Sequence, residues 1–297
     1  MLATRHDYKA QSALLTAVIL WGAAPVALEI VLDHLSPLRA ITLRYGLATI
    51  ILSLSVFLFK GKDGFALFRS KTCILLGLIQ AFGLFAWATG QDATTSGLAT
   101  LLASLFPVIV PFITWKLEGN KPRVKTILLA LVALMGVFLI AFDGDWSNFS
   151  NLSTSVIGIL ISIAASFLFG LYIAVSSKYL NEGENGDGKI DSLDYLNATT
   201  FHVFLPLFLV SVVVGDVSFF LPREVINELL FLAIFTTIVT FGLYNWSVPK
   251  LGAVRSSFYM LLQVIIPIAF ELIFWGQIYS YWIYGGMFIL LSVFLLV

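Results

Sequence analysis

Four ionisable side chains lie inside long apolar stretches of this sequence, where a charge needs a partner or a function. A charged group at the centre of a lipid bilayer costs roughly 2.5 to 3.5 kcal/mol even on permissive insertion scales. Glu29 and Arg44 fall on neighbouring stretches, so they either pair as a structural clamp, act as a gate or substrate contact, or reach the interface. Glu271 has no evident basic partner and is either interfacial or neutral, and a neutral carboxyl is a candidate for proton coupling or gating.

The fourth ionisable group, His202, is the one histidine inside an apolar stretch, where it either bonds to a neighbouring helix or carries a proton. His6 and His34 lie outside the apolar core on opposite sides, so the three histidines cannot converge on one ion. Cys73 is the single cysteine, which excludes an internal disulfide and any cysteine-based zinc or iron–sulfur site. We therefore expect no metal and no other cofactor.

Nine uncharged polar or aromatic residues near the middle of the stretches form a second candidate set. Their rings and amides suit a small amphipathic solute, because they offer stacking surface and hydrogen bonds without a fixed counter-charge. Gln80 and Trp87 are seven positions apart, and Tyr259 and Gln263 four apart, so each pair shares a helix face. Interface belts and helix–helix bonds are the alternative roles for these residue types. The candidate substrate-binding residues are Trp21, Gln80, Trp87, Ser104, Tyr172, Tyr244, Asn245, Tyr259 and Gln263.

Membrane helices are the elements that must position these side chains. Of the 297 residues, 59% are hydrophobic and only 11% are charged, a composition that water alone would not solvate. A spanning helix needs about 20 apolar residues, so about ten helices leave no room for a large soluble domain. The polar–apolar alternation of a membrane β-barrel is missing from a typical stretch such as 127–140. The composition therefore predicts an all-α integral membrane protein.

Ten apolar runs, separated by glycine, proline and charged residues, predict ten transmembrane helices. Lipid offers no partner to backbone groups, and a helix satisfies its own. The predicted spans are 11–32, 37–59, 72–91, 94–117, 126–142, 155–179, 195–214, 228–248, 253–276 and 281–297.

Basic residues predict the orientation of these spans. All of the 17 lysines and arginines except Arg39, Arg44 and Arg223 fall on the side of the N-terminus, whereas the 143–145 loop on the other side is acidic. This asymmetry is typical of insertion with the basic side in the cytoplasm. Because the number of spans is even, both termini are expected in the cytoplasm, in the inner membrane if the cell is bacterial.

The two halves of the chain resemble each other at a shift of 160 residues. We predict a first five-helix repeat at 1–145 and a second at 146–297, with an acidic cytoplasmic loop at 181–194. A repeat of five helices returns the chain to the other side, so the second copy is inverted. Pro107 and Pro267 then occupy equivalent places, as paired hinges or as fixed kinks. The aligned residues are Ser96, Leu101, Leu102, Pro107, Ile113 and Trp115 with Ser256, Leu261, Leu262, Pro267, Ile273 and Trp275.

Short motifs in both halves, in their order and within the ten-span frame, resemble the ten-helix EamA-type branch of the drug/metabolite transporter superfamily. The likeness covers nearly the whole chain and implies a central cavity formed mainly by helices one, three, four, six, eight and nine, with helices five and ten peripheral. Many members carry glutamate after the glycine that ends helices four and nine, where this chain has Asn120 and Gln277, so no role that needs a carboxylate there is carried over. The motifs are Trp21-Gly22, Pro37 with Arg44, Pro107, Trp115, Gly119, Gly170-Leu-Tyr172, Ser176-Ser-Lys178 and Tyr244-Asn245.

These observations lead us to expect a secondary active transporter, an exporter by the resemblance, which moves a small organic metabolite such as an amino acid by alternating access. No ATP-binding motif is present, so energy comes from the solute gradient or a coupled ion, a proton being one option. A channel or lipid flippase is the alternative, and an intramembrane enzyme fits less well because the spans hold no aspartate pair.

The expected partners are the small-molecule substrate and membrane lipid, with homodimer formation left open. A net charge of zero and the lack of a long basic tract exclude nucleic acid.

Overall fold

A computed structural model describes residues 7–94, 96–119, 121–144, 156–183, 186, 188–217 and 222–297. These residues form ten helical units and no strand. Nine units are long and apolar enough to cross a membrane, and the tenth is a shorter apolar helix. The prediction of an all-α membrane fold with ten transmembrane helices is confirmed.

The helical units follow the chain in the order α1 to α10, and every predicted boundary lies within five residues of the observed one. A 3₁₀ segment, Gly61–Arg69, follows α2. The bounds are α1 Tyr8–Leu32, α2 Pro37–Lys60, α3 Lys71–Ala93, α4 Ser96–Ala103 and Phe106–Glu118, α5 Val124–Phe142, α6 Val156–Glu182, α7 Ser192–Val214, α8 Arg223–Leu251, α9 Ala253–Tyr259 and Leu262–Trp275, and α10 Tyr281–Leu296.

Local sequence explains where several helices begin and end. The hydroxyl of Ser36 accepts the amide of Arg39 at 3.2 Å to cap α2, and Ser70 accepts the amide of Cys73 at 3.2 Å to cap α3. Gly119 ends α4 in the left-handed region, at a φ of 79°, which a glycine adopts without steric cost. The caps therefore turn the chain back into the bundle after short connections.

Three helices are interrupted in their middles, α1 at Ala23, α4 at 104–105 and α9 at 260–261. Pro25 and Pro107 are each the second residue of the segment after the interruption. Amides in the first turn of a helix have no acceptor within that helix, so a proline there costs the segment no hydrogen bond. Pro267 stands sixth in the second segment of α9, which is the place of Pro111 in α4. Measured from the interruption, Pro267 stands at the place of Pro111, about one turn from Pro107, with which the sequence shift pairs it.

Small residues let neighbouring helices approach closely. A Cβ built on Gly77 of α3 would lie 2.3 Å from the Cβ of His202 on α7, and one on Gly90 would lie 2.2 Å from the Ser162 hydroxyl of α6. Gly136 and Gly286 pack α5 against α10 at the edge of the bundle. Backbone contact at such positions is typical of helix packing in membranes.

We call the side on which α1 begins and α10 ends the terminal face. There the Lys125 ammonium donates to the carbonyl of Leu296 at 2.8 Å, joining the start of α5 to the end of α10. Lys60, at the end of α2, contacts both Asp191 and Asp194 at the start of α7 at 2.9 Å. Partial burial acts to raise the pKa of Asp191, but hydrogen bonds from Lys60 and nearby amides outweigh it and lower the pKa.

Candidate functional site

A central cavity lies at the level where α1, α4 and α9 are interrupted. Seven helices contribute, the six implied by the resemblance and also α2, through Arg44. The aromatic lining residues are Trp21, Trp87, Phe106, Phe169, Tyr172, Phe241 and Tyr244, and the non-aromatic polar ones are Arg44, Gln80, Thr100 and Gln263.

Prolines accompany the irregular backbone at this level, and in α1 and α4 they follow the interruption directly. A proline has no N–H, so the carbonyl four residues before it lacks its α-helical donor. Three lining residues each stand four positions before a proline, and irregular backbone at membrane depth is tolerated where it lines a cavity or is buried in protein. The pairs are Trp21 with Pro25, Ala103 with Pro107, and Gln263 with Pro267.

Aromatic rings from both halves of the chain form one wall of the cavity. The Trp21 ring lies 5.0 Å from Phe241, at 72°, and 5.6 Å from Tyr244, measured between ring centroids. Tyr172 and Tyr244 stack at 6.4 Å with 23° between their planes. Edge-to-face and stacked pairs at these separations are favourable geometries, so the wall is held in place without a ligand.

A π-helical turn of α8, Ile234–Val239, anchors two side chains of the first half. The carbonyl oxygen of Thr236 accepts the Trp21 indole Nε1–H at 3.1 Å and the Nη2 of Arg44 at 3.0 Å. Arg44 Nε donates to Thr237 Oγ1 at 2.9 Å, and that hydroxyl donates to a carbonyl one turn earlier. π-turns are rare and occur frequently at functional sites.

The predicted pairing of Arg44 with Glu29 is wrong. Arg44 is 2% exposed and directs two of its nitrogens to α8, whereas the Glu29 side chain is exposed on the outer surface of α1. Adjacent helices permitted the pair, but the two residues face opposite directions. Arg44 therefore lines the cavity instead of closing a gate with Glu29.

Six of the nine candidate substrate-binding residues line the cavity. They are held by contacts with neighbouring helices, as where the Gln80 amide donates to the Tyr45 hydroxyl at 3.1 Å. The six are Trp21, Gln80, Trp87, Tyr172, Tyr244 and Gln263.

The other three candidates lie outside the lining. Ser104 sits behind Gln263 and accepts its amide at 2.9 Å, so it positions a lining residue. Tyr259 packs on Phe294 of α10 at 4.8 Å, because the interruption at 260–261 breaks the helix face that it was expected to share with Gln263. Asn245 is fully buried one position past Tyr244, and neither of its side-chain polar atoms has a partner among the described residues.

His202 also lies outside the cavity, between α7 and α3. Its Nδ1 hydrogen-bonds to the carbonyl of Ala198 at 2.6 Å, and its ring lies 5.3 Å from Phe201 and 6.0 Å from Phe68. This arrangement matches the packing alternative for His202. Glu271 belongs to the second segment of α9, and its side chain falls outside the described part of the structure.

Two tyrosines on the terminal side of the cavity, Tyr179 and Tyr195, were missed by the sequence reasoning. Tyr195 donates its hydroxyl to that of Tyr172 at 3.3 Å, and its ring lies 5.9 Å from Tyr179. The Tyr179 hydroxyl lies 2.9 Å from that of Ser70, at the start of α3. We call Tyr172, Tyr179 and Tyr195 the tyrosine cluster, and it fills the space between the cavity and the terminal face. The seven-residue spacing of Tyr172 and Tyr179 on α6 was the available signal.

The fold and the cavity define an integral, multi-pass membrane protein whose helices surround a central cavity lined mainly by aromatic and apolar side chains. Residues 9–142 and 156–297 each match the EamA-like transporter family. The chain belongs to this family of transporters. The predicted resemblance is therefore confirmed. Each matched half crosses the membrane five times, which makes the second an inverted copy of the first.

Relatives with curated names are also transporters. "Uncharacterized transporter YrdR" of Bacillus subtilis (strain 168) is 28% identical over 151 residues, 49% of this chain and 47% of that protein. An "Uncharacterized transporter" of Archaeoglobus fulgidus is 25% identical over 231 residues, 77% of this chain and 66% of that protein. "Uncharacterized transporter YyaM" of Bacillus subtilis (strain 168) is 22% identical over 286 residues, 93% and 89% of the two chains. The matched region thus spans about half of the first relative and under two thirds of the second.

A protein of known crystal structure has the same fold. The two chains are 15% identical and superpose with a TM-score of 0.74, which covers 96% of this chain and 95% of the other. The likeness extends over the whole bundle, so it supports the arrangement of all ten helices.

Proposed function

We propose that this protein is a secondary carrier that exports a small organic metabolite by alternating access around the central cavity. The solute has an apolar or aromatic body and a few polar atoms, as an amino acid or a similar compound has. The observation that carries this proposal is the cavity itself, lined by seven aromatic residues from both halves at the level of the helix interruptions. We place the protein in the cell membrane with both termini in the cytoplasm.

Two helix bundles are suited to be the moving bodies. In one, which we call the α1 bundle, α1 packs along α8 and α9, and in the other, the α3 bundle, α3 and α4 pack along α6. Each bundle takes helices from both halves, and the inverted repeat exchanges one bundle for the other. Rocking of one such body against the other around a fixed site is the usual mode of alternating access.

The two bundles meet on the terminal side of the cavity. The first segment of α9, Ala253–Tyr259, packs against the second segment of α4, Phe106–Glu118, and the tyrosine cluster fills the space beside them. The remaining segments, Ser96–Ala103 and Leu262–Trp275, lie nearer the other face and have no extensive contact with each other within the described residues. We therefore propose that this conformation is closed toward the cytoplasm. On inward opening, the terminal-side segments of α4 and α9 separate and their other two segments pack together.

The lining supports transport driven by the solute gradient alone. Among the described residues that surround the cavity there is no carboxylate and no imidazole, and the buried His202 lies outside it. A proton would therefore have no group that titrates near neutral pH among these described lining residues.

The experiment is flux into proteoliposomes that contain the purified full-length protein. Trp21→Ala and Tyr244→Ala remove rings from the wall and should abolish saturable counterflow of a screened solute. Trp246→Ala is the matched control, since Trp246 is 40% exposed on the outward side of the same helix as Tyr244. Its removal should leave flux unchanged.

Three outcomes contradict the proposal in different ways. Unchanged flux in both wall variants would show that the cavity is not the transport site. Flux that never saturates and follows membrane voltage would indicate a channel. Transfer of labelled lipid between leaflets, without solute counterflow, would indicate a flippase.

A further inference from the structure

Arg44 is a fully buried cation at the cavity whose hydrogen-bonding capacity is only partly used. Its Nε and Nη2 donate to Thr237 Oγ1 and to the Thr236 carbonyl, at 2.9 and 3.0 Å. The third nitrogen, Nη1, is buried and has no hydrogen-bond partner within the described residues. A guanidinium has five N–H donors in a fixed fork, so a purely structural arginine would be expected to satisfy this nitrogen as well.

No acidic side chain of the described chain balances this charge. The ion pairs found there, Lys60 with Asp191 and Asp194 and Lys178 with Glu182, all lie near the terminal face. The described lining of the cavity contains neither aspartate nor glutamate. An arginine keeps its proton inside proteins, so it cannot escape the cost of burial by becoming neutral.

The nearest aromatic groups compensate the charge only in part. The Arg44 guanidinium carbon lies 5.5 Å from the centre of the Tyr45 ring, within the range of a cation–π contact. A buried charge without a counter-ion is unfavourable, and an anion placed beside it removes that penalty while it gains a charge-assisted hydrogen bond.

We propose that the cavity binds organic carboxylates, with the carboxylate at Arg44 and the apolar body of the solute against the ring wall of Trp21, Phe241 and Tyr244. This inference rests on the proposed carrier function and names its substrate class. A carboxylate fits better than a phosphate, because a doubly charged group needs several donors and the cavity offers one guanidinium among mostly apolar side chains. The π-turn of α8 holds two of the nitrogens in place and so leaves the third for the ligand.

The test is isothermal titration of the purified full-length protein with three carboxylates and their uncharged amides. The pairs are phenylacetate with phenylacetamide, 4-methylpentanoate with 4-methylpentanamide, and indole-3-acetate with indole-3-acetamide. At least one carboxylate should bind about tenfold or more tightly than its amide, the gain expected of a hydrogen-bonded charge pair. Each pair keeps size and shape nearly constant, so the ratio reports the charge.

Two variants assign the preference to Arg44. Arg44→Gln should reduce the carboxylate-to-amide ratio to about one, whereas Arg44→Lys keeps the cation and should retain a reduced preference. Trp246→Ala, on the outward side of α8, should bind like the unaltered protein. If Arg44→Gln does not fold, Arg44→Lys carries the test alone. Its carboxylate-to-amide ratio should then be lower than that of the unaltered protein, because lysine does not place an N–H where Nη1 of Arg44 lies.

Each contrary result points to a different failure. Equal or tighter binding of all three amides, or a preference that survives unchanged in both Arg44 variants, would overturn the carboxylate inference. Binding of no carboxylate in the panel would overturn it as well. If an amide shows saturable counterflow in proteoliposomes at the same time, the carrier proposal stands, whereas the lack of saturable flux for every solute would remove the carrier proposal too.

Discussion

Replacing Gly77 by alanine should destabilise the bundle, because it forces α3 away from α7. A Cβ at this position would lie 2.3 Å from the Cβ of His202, 2.9 Å from its carbonyl carbon and 3.1 Å from its Cα. Ordinary contact begins near 3.4 Å, so the helices must separate by about 1 Å, and two of the three atoms belong to backbone that cannot rotate away. Truncating His202 to alanine would not relieve the contact, since alanine keeps the Cβ.

The size of the effect follows from two opposing terms. Overpacking of this kind costs about 1 to 3 kcal/mol, and often more where backbone must shift. The better helix propensity of alanine returns about 0.5 to 1 kcal/mol. Because backbone must shift here, we take the upper part of the cost range, about 2 to 3 kcal/mol, and the net loss of about 1 to 2.5 kcal/mol corresponds to a fall in Tm of about 2 to 10 °C.

The assay is thermal unfolding of purified variants in one detergent, followed by tryptophan fluorescence. Gly285→Ala is the matched control, because Gly285 is helical and nothing lies within 4 Å of a Cβ built there. Its Tm should match or exceed that of the unaltered protein. A Gly77→Ala protein that melts as high as the Gly285→Ala protein would refute the close packing of α3 on His202, and with it the assignment of His202 to packing.

Three further predictions concern the cavity and its closure. Ser104→Ala removes the acceptor for the Gln263 amide, and the loss of about 1 kcal/mol should raise the KM for counterflow about fivefold with the fold intact. Tyr195→Phe removes the hydrogen bond to Tyr172, so maleimide should label the buried Cys73 about fivefold faster, and an unchanged rate would show that this bond does not help to close the terminal side. Collapsing an imposed proton gradient should leave proteoliposome flux unchanged, and a large loss of flux would place a coupled proton on the transport path.

Hydropathy was sufficient to predict the ten helices, since lipid forces each spanning segment to be apolar and to satisfy its own backbone. The hydrogen-bond acceptors of Arg44 could not be predicted from hydropathy. Sequence proximity pointed to Glu29 on the adjacent helix, whereas the acceptors are Thr236 and Thr237, about 190 residues later, in a π-turn that periodicity does not reveal. Charged groups of opposite sign are therefore a weak guide to pairing when backbone carbonyls are free to accept.

Helix interruptions explain why the sequence misplaced other residues at the site. Helical spacing correctly put Gln80 and Trp87 on one face, because α3 is continuous between them. The same rule failed for Tyr259 and Gln263, which a break separates. The prolines carried usable information, since a proline four residues after a mid-span residue marks a carbonyl without its helical donor, and three such residues line the cavity. The same spacing also selects His202 and Asn245, which lie outside the lining, so it narrows the choice of residues without locating the site.

The breaks in α4 and α9 also explain how one cavity could serve both sides of the membrane. In an unbroken helix the packing of one end fixes the position of the other end. A break lets the two segments pack independently of each other. In this conformation the terminal-side segments of α4 and α9 pack together, whereas the other two segments have no extensive contact within the described residues. The Ser104–Gln263 hydrogen bond joins the helices at the level of the breaks, where we expect the distance between them to change least in the proposed rocking motion. The polar contact that positions a lining residue is therefore also suited to be the pivot between the two packings.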